Sequence, residues 1–397
     1  MSVSKSVLTG IAAAGLALSG CFAGFQARAD GSGPTPIDPG SGCSAVSVNI
    51  DGHAVFGANL DFEHLTPGQL FINRRGMVKT GTTPGTTGIV AQWVSKYGSL
   101  TFNFVGYQYA WGGMNERGLV MSTMAFPQSV YPPPDHRPVV DSGFWIQYLL
   151  DTCATVGDVI ASDALVRNVT VDHYLISDRN GDSAVIEYLD GEMVVRTGGS
   201  LPVSVLANWY YADSLHWWQA LRDSGNYSAM DGSIQRFCLA ADRVSEFDET
   251  NGAAAIRYVF DTLEIIKGEN FSQHASQWSI VFDTKTSKIF FKTLAHPEIK
   301  WMDLARVDLR CSRGVQMMEI QSPVIGDVGA LFYDYSHLDA RDQYYWFIDT
   351  YHHSLTHQWA DQMLQHFEGF SCQPPSGPRR VTGRHEATAR DASTTKN

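Results

Sequence analysis

The chain has 397 residues, of which 44% are hydrophobic and 18% charged, so it can build a sizeable core, and wholesale disorder is excluded. Its formal charge of −12, from 29 Lys plus Arg against 41 Asp plus Glu, argues against a nucleic-acid partner, which would draw on clustered cations. Six Cys are too few for a disulfide scaffold, and none forms a CxxC pair, which removes the zinc-ribbon reading.

The N-terminus reads as an export signal over residues 1–29. Lys5 supplies a positive start, and the apolar run Val7 to Gly20 is too short for a comfortable membrane span. Two processing readings stand side by side. Ala27-Arg28-Ala29 is an A-x-A cleavage site that would release a soluble periplasmic or secreted protein, whereas Leu18-Ser19-Gly20-Cys21 fits a lipobox that would leave Cys21 lipidated. No later apolar run is long enough to cross a bilayer. Residues 30–42 are rich in Gly, Pro and Ser and read as a flexible pro-segment.

Ordered sequence starts at Cys43. Ala45 to Asn59 forms two strand-like runs around Asp51-Gly52, a hairpin signal. A two- or a three-residue loop fits, and both bring Cys43 beside Asp61. Further strand-like runs cover Gly88–Val94, Leu100–Val105 and Leu119–Phe126, and one helix is predicted over Phe144–Ala161. A meander follows at His173–Ser177, Ala184–Leu189, Glu192–Thr197 and Val203–Asn208, then helices at Ser233–Glu246 and Ala253–Lys267, and a hairpin of Trp278–Asp283 with Lys288–Leu294. Adjacent strands joined by tight turns favour α+β architecture with antiparallel sheets over a doubly wound fold. Residues 309–372 read as a helical extension, with Arg341 to Phe370 its helical part, and 373–397 as a disordered tail.

The sequence lacks G-x-S-x-G, H-E-x-x-H, Walker A and G-x-G-x-x-G elements, which disfavours α/β serine hydrolases, zincins and nucleotide enzymes. His353 and His357 stand a helical turn apart, with His352 and His366 nearby, and are read as exposed helix residues rather than metal ligands. What remains is Cys43 directly after the side-chain-free Gly42. A thiol at a chain terminus has a built-in base, the free α-amine of pKa about 7.7–8.0, provided the Gly42–Cys43 bond is cut.

From here the residues resemble the choloylglycine hydrolase and penicillin V acylase family of N-terminal-nucleophile (Ntn) cysteine amidohydrolases. Cys43 with Phe56-Gly57-Ala58-Asn59-Leu60-Asp61 is similar to the family's opening C-T…F-G-R-N-x-D. In order, Asn115-Glu116-Arg117-Gly118-Leu119 matches N-E-K-G-L, Met124 to Pro127 falls at L-N-F-P, Val205 to Asn208 matches V-L-T-N, and Ser233 to Phe237 matches S-x-S-R-F. The resemblance covers residues 43–308 and implies a four-layer αββα sandwich of two antiparallel sheets flanked by helices. It also implies an amidohydrolase acting on a small N-acyl amide, with no cofactor and no metal. Carried onto this chain, Cys43 is the nucleophile, Asp61 orients its α-amine, and Arg236 holds Asp61 ionised and lowers the thiol pKa. The Asn208 side chain and the Ala125 backbone N–H are the oxyanion donors.

The departures are specific. Ala58 replaces a family Arg, and Ala125 a larger polar residue. Asn208 to Arg236 is too short for the assembly hairpin of Gram-positive members, which disfavours their tetramer and leaves the oligomeric state open. Cys43 lies beyond both signal-cleavage sites, so maturation needs a second, autocatalytic cut. Alternatives at the same site are an N-acyl homoserine lactone acylase or an acyltransferase; in a different class stands an inactive lipid-anchored binding protein. Cys153 and Cys238 read as buried thiols, and Cys311 with Cys372 as a disulfide bracketing the extension.

Overall fold

The structure is a computed structural model and describes residues 42–82, 89–141, 143–169, 172–270 and 274–373. Residues 1–29, read above as an export signal, residues 30–41 and those beyond 373 lie outside it. Two large sheets form the centre. One has seven strands in the order Val205–Leu206, Ser44–Ile50, His53–Phe62, Ala275–Asp283, Lys288–Thr293, Lys300–Asp303, Gly326–Asp327. The other has nine: Glu192–Thr197, Ser183–Leu189, Asp172–Ser177, Val120–Ala125, Gly112–Asn115, Ser99–Asn103, Gln69–Asn73, Gln316–Glu319, Tyr333–Asp334. Nearly every pairing is antiparallel; the exception within these two sheets joins Lys300–Asp303 to Gly326–Asp327 in parallel.

The layering follows from burial on both faces. All ten residues of His53–Phe62 are buried, a near-continuous apolar run of the kind a strand needs when covered on each side. Helices Gly232–Ser245 and Gly252–Ile265 cover the outer face of the seven-stranded sheet, and helix Trp145–Thr152 covers the nine-stranded one. Gly57 lets the second of these helices approach, because a Cβ there would overlap Val259 and press on Leu263. Ser177 Oγ donates to Ser47 Oγ across the two sheets at 2.9 Å. This is the four-layer αββα sandwich expected from the resemblance.

The opening hairpin takes the two-residue option. Asp51 and Gly52 have φ of +48° and +77°, a type I′ turn, and Ile50 pairs with His53. The register then sets Ser44 opposite Asn59, so Cys43 enters the sheet beside Leu60 and Asp61.

Three expectations need correction. The predicted helix over 144–161 is two helices, Trp145–Thr152 and Val156–Ser162, because Cys153 is extended and Thr155 starts the second with a capping box to Asp158. Helix Tyr211–Leu221 was not anticipated. Residues 309–372 are not only helical: Gln316–Glu319 and Tyr333–Asp334 extend one sheet and Gly326–Asp327 the other, ahead of helices His337–Thr350 and His357–Glu368. That segment is closed by a Cys311–Cys372 disulfide, while Cys153 and Cys238 are free and buried. His357 pairs with Asp349 at 2.8 Å and stacks on Tyr345, and His366 bonds the Thr80 carbonyl.

Candidate active site

Cys43 is buried at the head of strand Ser44–Ile50. The strand's neighbour on one side is His53–Phe62, which carries Asp61; on the other it is Val205–Leu206, which pairs with Ala45 and Val46 and leads directly into Asn208. Helix Gly232–Ser245 starts nearby, capped by Asp231, whose carboxylate accepts from the Ser233 and Ile234 amides. Ser233 and Arg236 lie three apart on that helix and therefore on one face. Ser233 Oγ accepts from the Asn208 amide at 2.9 Å, and Arg236 Nη2 donates to Asn208 Oδ1 at 2.8 Å. Arg236 Nε donates to Ser44 Oγ at 3.1 Å, next to Cys43, while its Nη1 is buried without a hydrogen-bond partner among the described residues. Asn208 Nδ2 completes the chain by donating to the Ala125 carbonyl at 2.9 Å. Cys43, Asp61, Ala125, Asn208 and Arg236 thus form one connected group, although they span nearly 200 positions of sequence.

The electrostatics differ from the expectation that Arg236 would dominate. Burial pushes the Cys43 thiol up to about 12, reinforced by the Asp61 carboxyl, and the Asp61 amide, the Trp111 indole and Arg236 pull it only part of the way back. Burial likewise raises Asp61 to about 7, against the lowering pull of Arg236 and Ser276. Ser276 Oγ donates to Asp61 Oδ1 at 2.5 Å, and Oδ2 has no hydrogen-bond partner among the described residues. With the Gly42–Cys43 peptide intact, the pocket holds a neutral thiol beside a carboxyl poised near neutrality.

Gly42 belongs to the site. A Cβ at this position would overlap Asn208 Oδ1 and Arg236 Nη2, so a larger residue before Cys43 has to displace both side chains. Ala58, fully buried between Ala45 and Ile280, supplies no cation where the family pattern has one. Sequence reasoning missed Trp111, Ser276 and Ser233. The first two sit on strand or loop positions whose facing partners only the sheet register reveals; Ser233 was quoted within a motif but had no assigned contact. No group of three or more His, Cys, Asp or Glu among the described residues is arranged to hold a metal.

A sandwich of this layering, with a cysteine heading a central strand, is the Ntn-hydrolase fold. Residues 43–244 match the family of linear amide C–N hydrolases, choloylglycine hydrolase family. The chain belongs to that family and is a hydrolase of C–N bonds in linear amides. It is 24% identical over 258 residues to a penicillin V acylase of Pectobacterium atrosepticum, covering 55% of this chain and 69% of that one. Among solved structures, penicillin V acylase from Agrobacterium tumefaciens superposes with a TM-score of 0.64 at 24% identity, over 74% of this chain and 98% of that one. A mutant conjugated bile acid hydrolase from Clostridium perfringens gives 0.56 at 15% identity, over 72% and 99%. No helix among the described residues is long and apolar enough to cross a membrane.

Proposed function

We propose that this protein is an exported cysteine amidohydrolase of penicillin V acylase type, with Cys43 as nucleophile after self-cleavage at Gly42–Cys43. The observation that supports this reading is the packing of Gly42 against Asn208 and Arg236, two of the residues assigned to the reaction. In maturation Cys43 Sγ attacks the Gly42 carbonyl carbon and displaces its own amide nitrogen, leaving a thioester and a free α-amine. Water then cleaves the thioester and releases the pro-segment. In turnover the α-amine takes the thiol proton as sulfur attacks the substrate carbonyl, and returns it to the leaving amine. Water hydrolyses the acyl-thioester and regenerates the thiol.

Cutting the peptide changes the charge in the pocket. The new amine can be protonated beside Asp61, which supplies the counter-charge that burial otherwise denies both Cys43 and Asp61. Asn208 and the Ala125 amide stabilise the tetrahedral oxyanion. Export is supported by the apolar run after Lys5 and by the Cys311–Cys372 disulfide, a bond suited to an oxidising compartment.

N-terminal sequencing of the purified protein tests the reading. A chain beginning at Cys43 supports it; one beginning at Asp30, or a retained lipidated Cys21, counts against it. Hydrolysis of penicillin V, glycocholate and a long-chain N-acyl homoserine lactone, compared side by side, identifies the acyl group and amine. The packing of Gly42 makes its own demand: Gly42→Ala should slow cleavage and leave uncut precursor, while a chain released directly at Cys43 should be fully active.

A further inference from the structure

Between the two arms that carry Asn208 and Ala125 lies a buried polar pair that the chemistry above does not use. His173 and Glu187 are both completely buried, on adjacent strands of the nine-stranded sheet. His173 Nε2 lies 2.6 Å from the carbonyl oxygen of Ala207, the residue before Asn208. A carbonyl only accepts, so Nε2 carries the proton. The same imidazole stacks flat on Phe126, the residue after Ala125, with ring centroids 4.4 Å apart and planes within 6°. One ring therefore touches both arms, each one residue from a proposed oxyanion donor. The strand register agrees, pairing His173 with Met124 and Asp172 with Ala125.

Glu187 lies against the Nδ1 edge of the ring. Its Oε1 stands 3.7 Å from His173 Nδ1 and accepts the Tyr211 amide at 2.9 Å, and Arg196 Nε lies 3.5 Å from Oε2. Burial pushes the Glu187 carboxyl up, but His173, the Tyr211 amide and Arg196 outweigh it and hold it below its ordinary value. The Tyr211 amide fixes Oε1 by a hydrogen bond, and the buried carboxylate packs against the Nδ1 edge of the imidazole and so limits where the ring can sit. Tyr211 also follows Asn208 closely in sequence, so Glu187 grips the far side of the same turn.

We infer that His173, oriented by Glu187, is a positioning residue that locks the Asn208 and Ala125 arms at the spacing an oxyanion requires. The inference rests on the proposed roles of Cys43, Asn208 and Ala125. Stabilisation of an oxyanion by fixed donors depends on their placement more than on their number. A ring that hydrogen-bonds one arm and stacks on the other couples the two placements.

The test uses mature enzyme and three readouts: kcat and KM on penicillin V, and the rate of Cys43 alkylation by iodoacetamide. Alkylation displaces iodide directly and builds no oxyanion, so it reports the thiol without the donors. His173→Phe keeps the stack and removes the Nε2 donor; His173→Gln restores an N–H near the Nε2 position. For His173→Phe we expect kcat to fall on the order of 10²-fold with KM within about 3-fold and alkylation unchanged. His173→Gln should recover at least about tenfold of that loss. Glu187→Gln, which keeps the side chain's shape and its acceptor for Tyr211, is the second variant and should lower kcat in the same selective way, by about tenfold.

Unchanged kcat in both His173→Phe and Glu187→Gln overturns the inference. So does a parallel fall of kcat and alkylation, which would mean general damage to the site. A Cys43→Ala control separates the two levels. Turnover that survives Cys43→Ala overturns the nucleophile reading and this inference with it, whereas Cys43-dependent turnover insensitive to His173 overturns this inference alone.

Discussion

Two closed stretches of this chain are held in opposite ways. Cys43 and Asp61 are brought together by a β-hairpin, whose two-residue type I′ turn and unbroken ladder place them by register. Residues 311–372 are closed by a covalent bond across a sequence separation of 61 and fastened by aromatic contacts. Tyr351 packs edge-on against Phe62 with centroids 4.5 Å apart, Phe347 against Phe104 at 5.6 Å, and Tyr344 donates to the Tyr107 carbonyl at 2.7 Å. The extension thus reaches the residue next to Asp61 without contributing to the group around the thiol. The hairpin stretch buries ionisable side chains at a cost visible in the raised Cys43 and Asp61, while the disulfide-closed stretch is joined mainly by apolar rings. Chemistry in the first stretch should answer to single atoms, and stability in the second to closure of the loop.

The largest effect is expected at the thiol. Cys43→Ala should abolish both self-cleavage and amide hydrolysis with the fold intact, read by intact mass and by turnover; Cys43→Ser should keep some processing and little hydrolysis, because an alkoxide is harder to form than a thiolate. Full turnover by either variant breaks the comparison outright. Next, replacing both Cys311 and Cys372 by Ser should lower the unfolding free energy by about 4 kcal/mol from restored chain entropy. Because the bond lies in the second stretch, kcat at 25 °C should stay within about twofold of the parent; a parallel loss of kcat in fully folded protein would show that the two stretches are coupled.

Asn208→Ala should cost about 3 kcal/mol of transition-state stabilisation, a 10²–10³-fold loss in kcat measured on fully folded protein. A further effect concerns pH. In the uncut precursor Asp61 sits at about 7, above its unfolded value of about 3.9, so its protonated form favours folding below that lower value. The contribution is lost as pH rises through 7. Urea midpoints of the Cys43→Ala precursor should therefore fall between pH 4 and 8, and Asp61→Asn in that background should flatten the slope. A slope of opposite sign would mean that Arg236 prevails over burial.

Much of this was readable before any coordinates. Asp51-Gly52 marked the hairpin because both positions need positive φ, and the alternating runs on either side could pair in only two registers, both of which delivered Asp61 to Cys43. The Cys311–Cys372 pairing also followed from position, since these two cysteines flank one segment. The break at Cys153 could have been read from the Thr155–Asp158 capping pair, a local signal. Strands Gln316–Glu319 and Tyr333–Asp334 were not legible, because short strands with modest apolar content are stabilised by the sheet they join rather than by their own pattern.

The sequence alone determined the order of the pieces: a glycine before a cysteine, a hairpin, an Asn ending an apolar run, and a Ser-x-x-Arg step on a helix. Local propensity and turn chemistry act over a few residues and suffice for that. Only the tertiary structure decided that Arg236 bonds Ser44 and Asn208, that burial outweighs its charge at Cys43 and Asp61, and that one buried imidazole touches both arms beside the thiol. Those outcomes depend on desolvation and on contacts between residues up to about 200 positions apart, and both arise only when the sheets close over the site.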